Sequence, residues 1–502
     1  MTRIRPLPLA GLLFGLATCL CTLAQCGQPG EAAPSAGASL AAAQHPKPTP
    51  AGKEQGQEQE QEPNPTVVPE RDQLKLLLSG TMSGRLEPCG CASGQLGGLA
   101  RRMQYIGERR YHDVLLEGGD LVEGNSPLDL EKLFTAVTIL ANMQHPYDAM
   151  GIGEKDLELP YEQWVGYTAG APFVASDLAC DSPDWPGKPF VEKQVRGRAV
   201  RIASLTLALP EQYRGEDSRI HLLTPLAGYE RAMQGADDDA WRILILQGTD
   251  VRARELVPTL QPAPHLVVCC DASYIEPTSR PEMVAGVPIV YPGTRGRILQ
   301  ECTLYRLPKG PRAALELVPL AGSLTVPGGG GDPDVKQVLL AHRNQVKEDG
   351  LLQKMARQLP TPNGAGYVGS ETCKTCHITA FAAWQISKHS HAWETLQKAE
   401  ADPKRYGWPV TAYPDCVGCH VVGYREQTGF VSFEETPQLA AVGCERCHGP
   451  ASEHAMSGGK KRLGLHGGVQ GSELCLQCHD YEQSPTFVYG ERWPKIAHGL
   501  DK

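Results

Sequence analysis

Apolar runs alternate with helical patterns between residues 72 and 325. This alternation predicts an α/β sandwich whose functional loops follow the strand ends. A helix is predicted over LEKLFTAVTILANM (130–143). The predicted strands are LKLLL (74–78), DVLLEGGD (113–120), YDAMGIG (147–153), PFVASD (172–177), RILILQG (242–248), HLVVCC (265–270) and VPIVYPG (287–293).

The pattern changes after residue 325. TVPGGGGDPD (325–334) has the composition of a linker, and residues 335–359 have the period of an amphipathic helix. We expect this linker and bridging helix (326–365) to join the sandwich (72–325) to a separate C-terminal domain (366–502).

The N-terminus has the pattern of an export signal over residues 1–26. Arg3 and Arg5 precede a short apolar run that has no charged stop, which favours cleavage over a permanent transmembrane helix. Leu23-Ala24-Gln25-Cys26 is similar to a bacterial lipobox, so simple cleavage and a lipid anchor at Cys26 are both open. Residues 27–71 are rich in Ala, Gly, Pro, Gln and Glu and predict a disordered tether.

Net charge and cysteine content limit the classes of function that the chain can have. The 502 residues suffice for two or three domains, and the net charge of −9 argues against a nucleic-acid partner. Of the 17 cysteines, those between 373 and 478 stand in four identical patterns: CKTCH (373–377), CVGCH (416–420), CERCH (444–448) and CLQCH (475–479).

Each pattern is Cys-x-x-Cys-His, the attachment motif of a c-type haem. The two thiols add to the vinyl groups of one porphyrin, and the adjacent histidine is the proximal iron ligand. The sequence therefore predicts four covalent haems, and a helical, loop-rich domain that depends on them for its core. The predicted attachment cysteines are Cys373, Cys376, Cys416, Cys419, Cys444, Cys447, Cys475 and Cys478, and the proximal histidines are His377, His420, His448 and His479.

Further histidines can supply the sixth iron ligand. His466 lies in a glycine-rich loop and is expected to be exposed, while Met456 is a weaker axial candidate. Two imidazoles on one iron would give a low-spin haem suited to electron transfer, whereas an iron without a sixth ligand could bind a small molecule. The distal candidates are His389, His391, His454 and His498.

The C-terminal residues resemble the cytochrome c-554 family of tetrahaem proteins. The resemblance covers about 366–502 and is carried by GYVGSETCKTCH, SKHSHAWETL, VGCERCHGPASEH and the final CLQCH. It implies closely packed haems, mostly with two histidine ligands, that pass electrons between periplasmic partners. It also implies distal roles for His454 and for the histidines of SKHSH, and one iron that is often left open.

The N-terminal loops resemble those of calcineurin-like metallophosphatases of the 5′-nucleotidase branch. Such enzymes activate water with two metal ions held by Asp, His and Asn. Thr81 and Ser83 stand where the first loop would carry Asp and His, Lys155 brings a positive charge, and Asp120 alone remains as a standard ligand. One carboxylate cannot hold two divalent ions, so we expect hydrolysis to be lost. The five loops are Thr81–Arg85, Gly119–Asp120, Gly153–Asp156, Leu246–Gly248 and Cys270–Ser273.

Other residues at this sheet edge leave alternatives open. Cys89 with Cys91 and Cys269 with Cys270 could form disulfides, ligate a soft metal, face a redox partner or remain buried thiols. A residual site would add Asp120, Glu154 and Asp271 to these cysteines. QLGGLARR (95–102) predicts a tight turn into a helix, whose arginines are expected to be solvated, with anion binding as the alternative.

These observations give three hypotheses. The first is an exported multihaem cytochrome that carries electrons between periplasmic or membrane redox proteins, with a non-hydrolytic phosphatase-like domain for docking or positioning. The second is an oxidoreductase that converts a small nitrogen or sulfur species at an open haem. The third is a hydrolase with non-standard metal ligands.

Overall fold

The computed structural model describes nine ranges of the chain. The predicted export signal with Cys26, the tether up to residue 67, Cys89, Cys91 and His466 lie outside them. All described residues belong to one structural unit, residues 62–502. The described ranges are 68–88, 94–109, 112–215, 218–274, 276–322, 330–402, 407–464, 471–481 and 483–498.

The strands of the described residues all lie before residue 320, whereas helices occur on both sides of it. The strands are β1 (Gln73–Thr81), β2 (Val114–Gly119), β3 (Ala149–Gly151), β4 (Phe173–Val174), β5 (Leu178–Cys180), β6 (Val191–Val195), β7 (Arg198–Leu205), β8 (Ile220–Leu222), β9 (Trp241–Gln247), β10 (Leu266–Cys270), β11 (Glu282–Val284), β12 (Val287–Val290), β13 (Ile298–Leu307) and β14 (Gly310–Pro319). The helices are α1 (Leu99–Glu108), α2 (Pro127–Asn142), α3 (Tyr161–Thr168), α4 (Pro225–Met233), α5 (Asp250–Leu256), α6 (Pro333–Glu348), α7 (Leu351–Lys354), α8 (Ser370–Lys374), α9 (Ile378–Gln385), α10 (Ala392–Ala401), α11 (Pro414–Gly418), α12 (Cys444–His448), α13 (Ser452–Met456), α14 (Gly471–Leu476) and α15 (Tyr489–Arg492).

Two six-stranded sheets pack face to face. Their strand orders are β14-β13-β1-β2-β3-β4 and β11-β12-β10-β9-β7-β6, while β5 and β8 form a separate pair. Leu74, Leu76 and Leu78 of β1 lie in the buried cluster between the sheets, whereas Leu77 belongs to the cluster on the outer face. Side chains alternate because successive residues of a strand point to opposite faces. The predicted α/β sandwich is confirmed.

Helices cover both outer faces. α1, α2, α3 and α6 bury residues against the first sheet, and α4 and α5 against the second. α2 begins at Pro127 after Ser126, whose hydroxyl accepts from Asp129 N while the Asp129 carboxylate accepts from Ser126 N. This capping box satisfies amide groups that the first turn leaves without helical partners.

The bridging helix is shorter than the sequence predicts. α6 ends at Glu348, and Gly350 takes a φ of 61° before the four-residue α7. Glycine adopts this left-handed conformation without the steric cost of a Cβ, so the chain turns there. The continuous helix predicted over 335–359 is therefore wrong, although its first part forms as expected.

The C-terminal segment is helical and rich in loops, as predicted. Its described residues from 370 to 498 contain helices of four to ten residues and no strand. A buried apolar cluster lies around the second motif; it contains Trp393, Leu396, Trp408, Val417, Val421, Phe430 and Leu439.

Candidate haem-binding region

Each Cys-x-x-Cys-His motif is folded as a helical turn. The backbone N–H of His377 donates to the carbonyl of Cys373, and that of His479 to Cys475, both at 2.9 Å. Positions i, i+3 and i+4 lie on one face of such a turn. Both sulfurs and the histidine of a motif therefore face the same side, as attachment of one porphyrin requires.

Three of the four motif histidines face a second histidine ring. An iron atom that takes one nitrogen from each ring at about 2 Å places the two ring centres roughly 6 Å apart. The ring centres of these pairs lie at the spacing that an intervening iron sets. The pairs are His377 with His454 at 5.9 Å, His479 with His389 at 6.2 Å, and His448 with His498 at 5.9 Å.

The outward ring nitrogen of several of these histidines is already occupied. Nδ1 lies 2.7 Å from the Lys461 carbonyl in His454, 2.9 Å from the Ile496 carbonyl in His498, and 3.1 Å from the Ser484 hydroxyl in His479. A metal-bound histidine commonly donates its second ring N–H in this way, which fixes the tautomer and leaves Nε2 for the metal.

His420 differs from the other three motif histidines. Its Nδ1 lies 2.7 Å from the carbonyl of Ala392, so it has the same type of support. Within the part of the chain that the structure describes, no second histidine ring faces it as His454 faces His377. His391, a predicted distal candidate, has an exposed side chain whose Nδ1 lies 3.2 Å from Glu394. The described residues therefore place three distal candidates, but not His391, opposite a motif histidine.

Sulfur atoms of different motifs lie next to each other. The Cys373 thiol hydrogen-bonds to Cys444, and the Cys419 thiol hydrogen-bonds to Cys478. The first motif is thus adjacent to the third, and the second motif to the fourth.

The carboxylate of Glu445 links the first and third motifs. It is buried inside the third motif and accepts from the backbone N–H groups of Val368, Gly369 and Ala451 at 2.7 to 3.0 Å. The Ser370 hydroxyl also accepts from Cys444 N at 3.1 Å. Sequence reasoning missed this residue, because an x position of the motif carries no haem chemistry of its own.

Two large apolar side chains near the His377–His454 pair lack protein cover. Ile378, directly after His377, is 70% exposed, and Met456, two residues after His454, is 80% exposed. Exposed apolar side chains of this size leave surface that an apolar group such as a porphyrin can cover. Together with the ring spacing and the bonded Nδ1 atoms, they fit a haem at these motifs.

The sheet edge of the sandwich has a different character. Asp120 takes a φ of 45°, and its carboxylate accepts from Lys155 N at 2.9 Å. Burial raises the pKa of Asp120 to about 6 and that of the neighbouring Asp156 to about 8. Glu154 lies 3.8 Å from Arg214, and the Lys155 ammonium pairs with Glu158 at 2.6 Å.

Protein atoms fill the space at the ends of β2 and β3. A Cβ on Gly118 would lie 2.5 Å from the Cys270 sulfur, and one on Gly151 would lie 3.0 Å from the amide nitrogen of Gln247. That amide donates to the carbonyl of Gly118. Asp271, the remaining acidic candidate, accepts from Asp250 N and Ser273 N at 2.8 Å and so supports its own loop.

Cys269 and Cys270 do not form a common site. Both are free and buried, but Cys269 packs on the helix-covered face of the second sheet and Cys270 packs between the sheets. They are adjacent residues of a strand and therefore point to opposite faces. In the described residues these two cysteines form no disulfide with each other and remain buried thiols, whereas Cys89 and Cys91 lie outside those residues.

Arg102 is neither solvated nor available to an anion. It is buried, and its guanidinium pairs with the buried Glu117 at 2.6 Å, next to Ser79. Both expectations for this residue from the sequence are therefore wrong, because its partner is distant in sequence.

The described residues offer no cluster for a metal ion held by protein atoms alone. No group of three or more of their His, Cys, Asp or Glu side chains is arranged to hold one. A haem iron needs at most two protein ligands, since the porphyrin supplies the others. No helix in the described ranges is both long and apolar enough to cross a membrane.

Known proteins match different parts of the chain. The family model described as "Cytochrome c554 and c-prime" matches residues 372–449. Cytochrome c-554 of Nitrosomonas europaea is 34% identical over an alignment of 146 residues, and the match covers 24% of this chain and 61% of that protein. The chain thus spans about three fifths of this curated relative. The resemblance of the C-terminal residues to the cytochrome c-554 family is confirmed.

Solved structures match the chain in part. The 5′-nucleotidase precursor of Thermus thermophilus has a TM-score of 0.44 and 17% identity, covering 60% of this chain and 63% of that one. The sulfate thiohydrolase SoxB of Thermus thermophilus has a TM-score of 0.43 and 15% identity, covering 55% and 61%. Reduced cytochrome c554 of Nitrosomonas europaea has a TM-score of 0.18 and 28% identity, covering 27% and 79%.

Proposed function

We propose that this protein is an exported multihaem c-type cytochrome that carries electrons between redox proteins. The observation that carries the proposal is the set of three histidine pairs at 5.9 to 6.2 Å, each with one member in a Cys-x-x-Cys-His motif. The match of residues 372–449 to cytochromes c-554 supports it independently.

Four haems would be bound, one at each motif. A haem iron held by two imidazoles accepts and donates a single electron with little change in geometry. The chain holds the rings in place through Nδ1 bonds, and it ties the first and third motifs through Glu445. Both features favour a rigid arrangement, as electron transfer requires.

The proposed location is the periplasm. The export signal over residues 1–26 supports it, with either simple cleavage or a lipid anchor at Cys26 as its end. Haem attachment to Cys-x-x-Cys-His takes place outside the cytoplasm, which agrees with export. The partners would be periplasmic or membrane redox proteins.

An electron paramagnetic resonance spectrum of the oxidised protein tests this proposal. Three histidine pairs predict that low-spin signals account for three quarters of the iron. A spectrum dominated by high-spin iron would contradict the proposed ligation and with it the electron-carrier function.

No second histidine ring faces His420 in the described residues, and this favours a second candidate function. A haem without a second imidazole can bind a small molecule, so this motif would suit an oxidoreductase acting on a small nitrogen or sulfur species. Titration of the reduced protein with carbon monoxide tests it, and uptake of one equivalent per four haems is expected. Failure to bind carbon monoxide would exclude this candidate but not the electron carrier.

A further inference from the structure

The loop after β1, helix α2 of the sandwich and the bridging helix α6 contact the chain that enters the second motif. We propose that these residues form a socket that positions the second haem and sets its reduction potential. The socket consists of Arg85, Lys132, His342 and Arg343, and its occupant is the segment from Trp408 to Asp415. The inference rests on the proposed haem attachment at Cys416 and Cys419 and adds a role for the sandwich.

The central contact is an ion pair. Lys132 Nζ of α2 lies 2.6 Å from the Asp415 carboxylate, and the lysine side chain is 7% exposed. Asp415 belongs to α11, which also contains Cys416, the first attachment cysteine of the second motif. The charge of this pair therefore lies one residue from Cys416, to which the haem of this motif would be attached.

The loop after β1 packs over the same lysine. Gly84 takes a φ of 67°, and a Cβ there would lie 3.6 Å from Lys132 Cδ and 3.7 Å from Nζ. Arg85 of this loop also acts on Asp415. The Asp415 side chain is 46% exposed, and the positive charge of Lys132, with those of Arg85 and His342, lowers the pKa of its carboxyl below the ordinary value. The loop that lacks metal ligands at Thr81 and Ser83 thus has a second use, as a wall of the socket.

α6 supplies the other wall. His342 Nε2 lies 3.0 Å from the Tyr413 hydroxyl, and its Nδ1 lies 2.9 Å from the Thr135 hydroxyl on α2. Arg343 pairs with Glu87 and places its guanidinium 4.2 Å from the centre of the Trp408 ring. Directional contacts from α2 and α6 therefore fix the segment on both sides of Pro414.

Apolar packing completes the attachment. Val346, Leu351 and Met355 form a buried cluster with Leu128 of α2, against which Tyr413 packs. A segment held by apolar, ionic and hydrogen-bonded contacts cannot move independently of the sandwich. The second haem would consequently keep a fixed position relative to the α/β region.

The two charges of the pair should act on the haem in opposite directions. A negative charge near a haem disfavours the addition of an electron, and a positive charge favours it. Lys132→Met removes the ion-pair partner of Asp415 and its positive charge, and should lower the reduction potential of the second haem. Asp415→Asn leaves Lys132 unpaired and should raise it. We expect each change to alter the equilibrium constant for reduction by up to about tenfold, or about 59 mV for one electron.

The experiment is a redox titration of the full-length holoprotein, followed by paramagnetic NMR so that each haem is resolved. The double variant Lys132→Met/Asp415→Asn should return close to the wild-type potential. Lys193→Met is the matched control, because Lys193 forms a surface ion pair with Asp148 at 2.8 Å and should leave all potentials unchanged. Lys132→Arg keeps the charge and should preserve the potential even if packing suffers.

Shifts of opposite sign at one haem would support the socket. Shifts of the same sign in both single variants, equal shifts at all four haems, or no shift at any haem would overturn it. The mass of each variant separates these outcomes from a failure of the proposed function, since loss of haem at Cys416 and Cys419 would appear as a missing haem mass.

Discussion

The imidazole rings of His377 and His454 lie with their centres 5.9 Å apart and their planes inclined by 22°. His377 ends the first motif, whereas His454 follows the third motif by six residues. The distal ligand of one haem would therefore come from the segment that carries another. If each motif depends on another segment for its distal ligand in this way, the positions of the haems depend on one another.

Replacement of His454 by Ala should convert one haem from low spin to high spin. The reason is that the iron at His377 would lose its second imidazole. Electron paramagnetic resonance of the oxidised protein measures the change as one quarter of the total iron. His391→Ala is the matched control, because its exposed ring bonds to Glu394 and faces no motif histidine in the described residues. An unchanged spectrum for His454→Ala, or a loss of low-spin signal in His391→Ala, would contradict the assignment of His454 as a distal ligand.

The sequence indicated the motif histidines fully but could not pair them. His389 and His391 are separated by one residue. Both carry an imidazole, so the sequence gives no reason to prefer one of them as an iron ligand. Only the fold shows that the ring of His389 faces His479 while His391 points toward Glu394. Pairing depends on contacts between distant parts of the chain, which local patterns do not encode.

In the sandwich, too, the sequence indicates the elements but not the contacts between distant residues. Apolar runs predicted its strands because burial on both faces leaves a simple signal in the sequence. Arg102, in contrast, was expected in solvent, and its burial depends on Glu117 in a different element. Cys269 and Cys270 were considered as a pair because they are adjacent, although a strand directs them to opposite faces.

Glu445→Gln should lower the free energy of unfolding by about 2–4 kcal/mol, because an amide nitrogen cannot accept the backbone bonds that one carboxylate oxygen now accepts. Guanidinium unfolding of the holoprotein, followed through the haem absorbance, measures the change. Glu453→Gln removes an exposed ion pair with Lys461 and should cost less than about 1 kcal/mol. Equal losses of unfolding free energy in the two variants would show that Glu445 does not stabilise the fold more than an exposed ion pair does.

Acid should weaken the contact between the bridging helix α6 and the segment that enters the second motif, because His342 forms part of that contact. Burial lowers the pKa of His342 to about 4, below its ordinary value of 6.5. The folded state thus binds fewer protons than the unfolded state between these values, so the contribution is present above pH 6.5 and is lost as the pH falls toward 4.

Comparison of unfolding free energies at pH 7 and pH 5 measures this effect. His342→Gln should reduce the loss of stability on acidification by up to about 2 kcal/mol. His265, whose pKa burial lowers to about 3, contributes in the same direction and remains present in the variant. The exposed His221→Gln is the control. If His342→Gln leaves the difference in unfolding free energy between pH 7 and pH 5 unchanged, His342 is not the group that makes stability depend on pH.

The sandwich should not hydrolyse phosphate esters. The Gln247 amide and the Cys270 sulfur occupy the space at the strand ends, and Asp120 alone of the standard ligands remains there. Assays of the purified protein with added Mn²⁺, Zn²⁺ or Co²⁺ should give no turnover above that of an Asp120→Asn variant. Robust turnover that Asp120→Asn abolishes would revive the hydrolase hypothesis.

The intact mass of the exported, mature protein tests the central claim most directly. The account predicts the mass of the processed polypeptide plus four haems, and denaturation should release none of them because each is covalently bound. A mature chain from a host that matures c-type cytochromes, but with no added haem mass, would contradict the account.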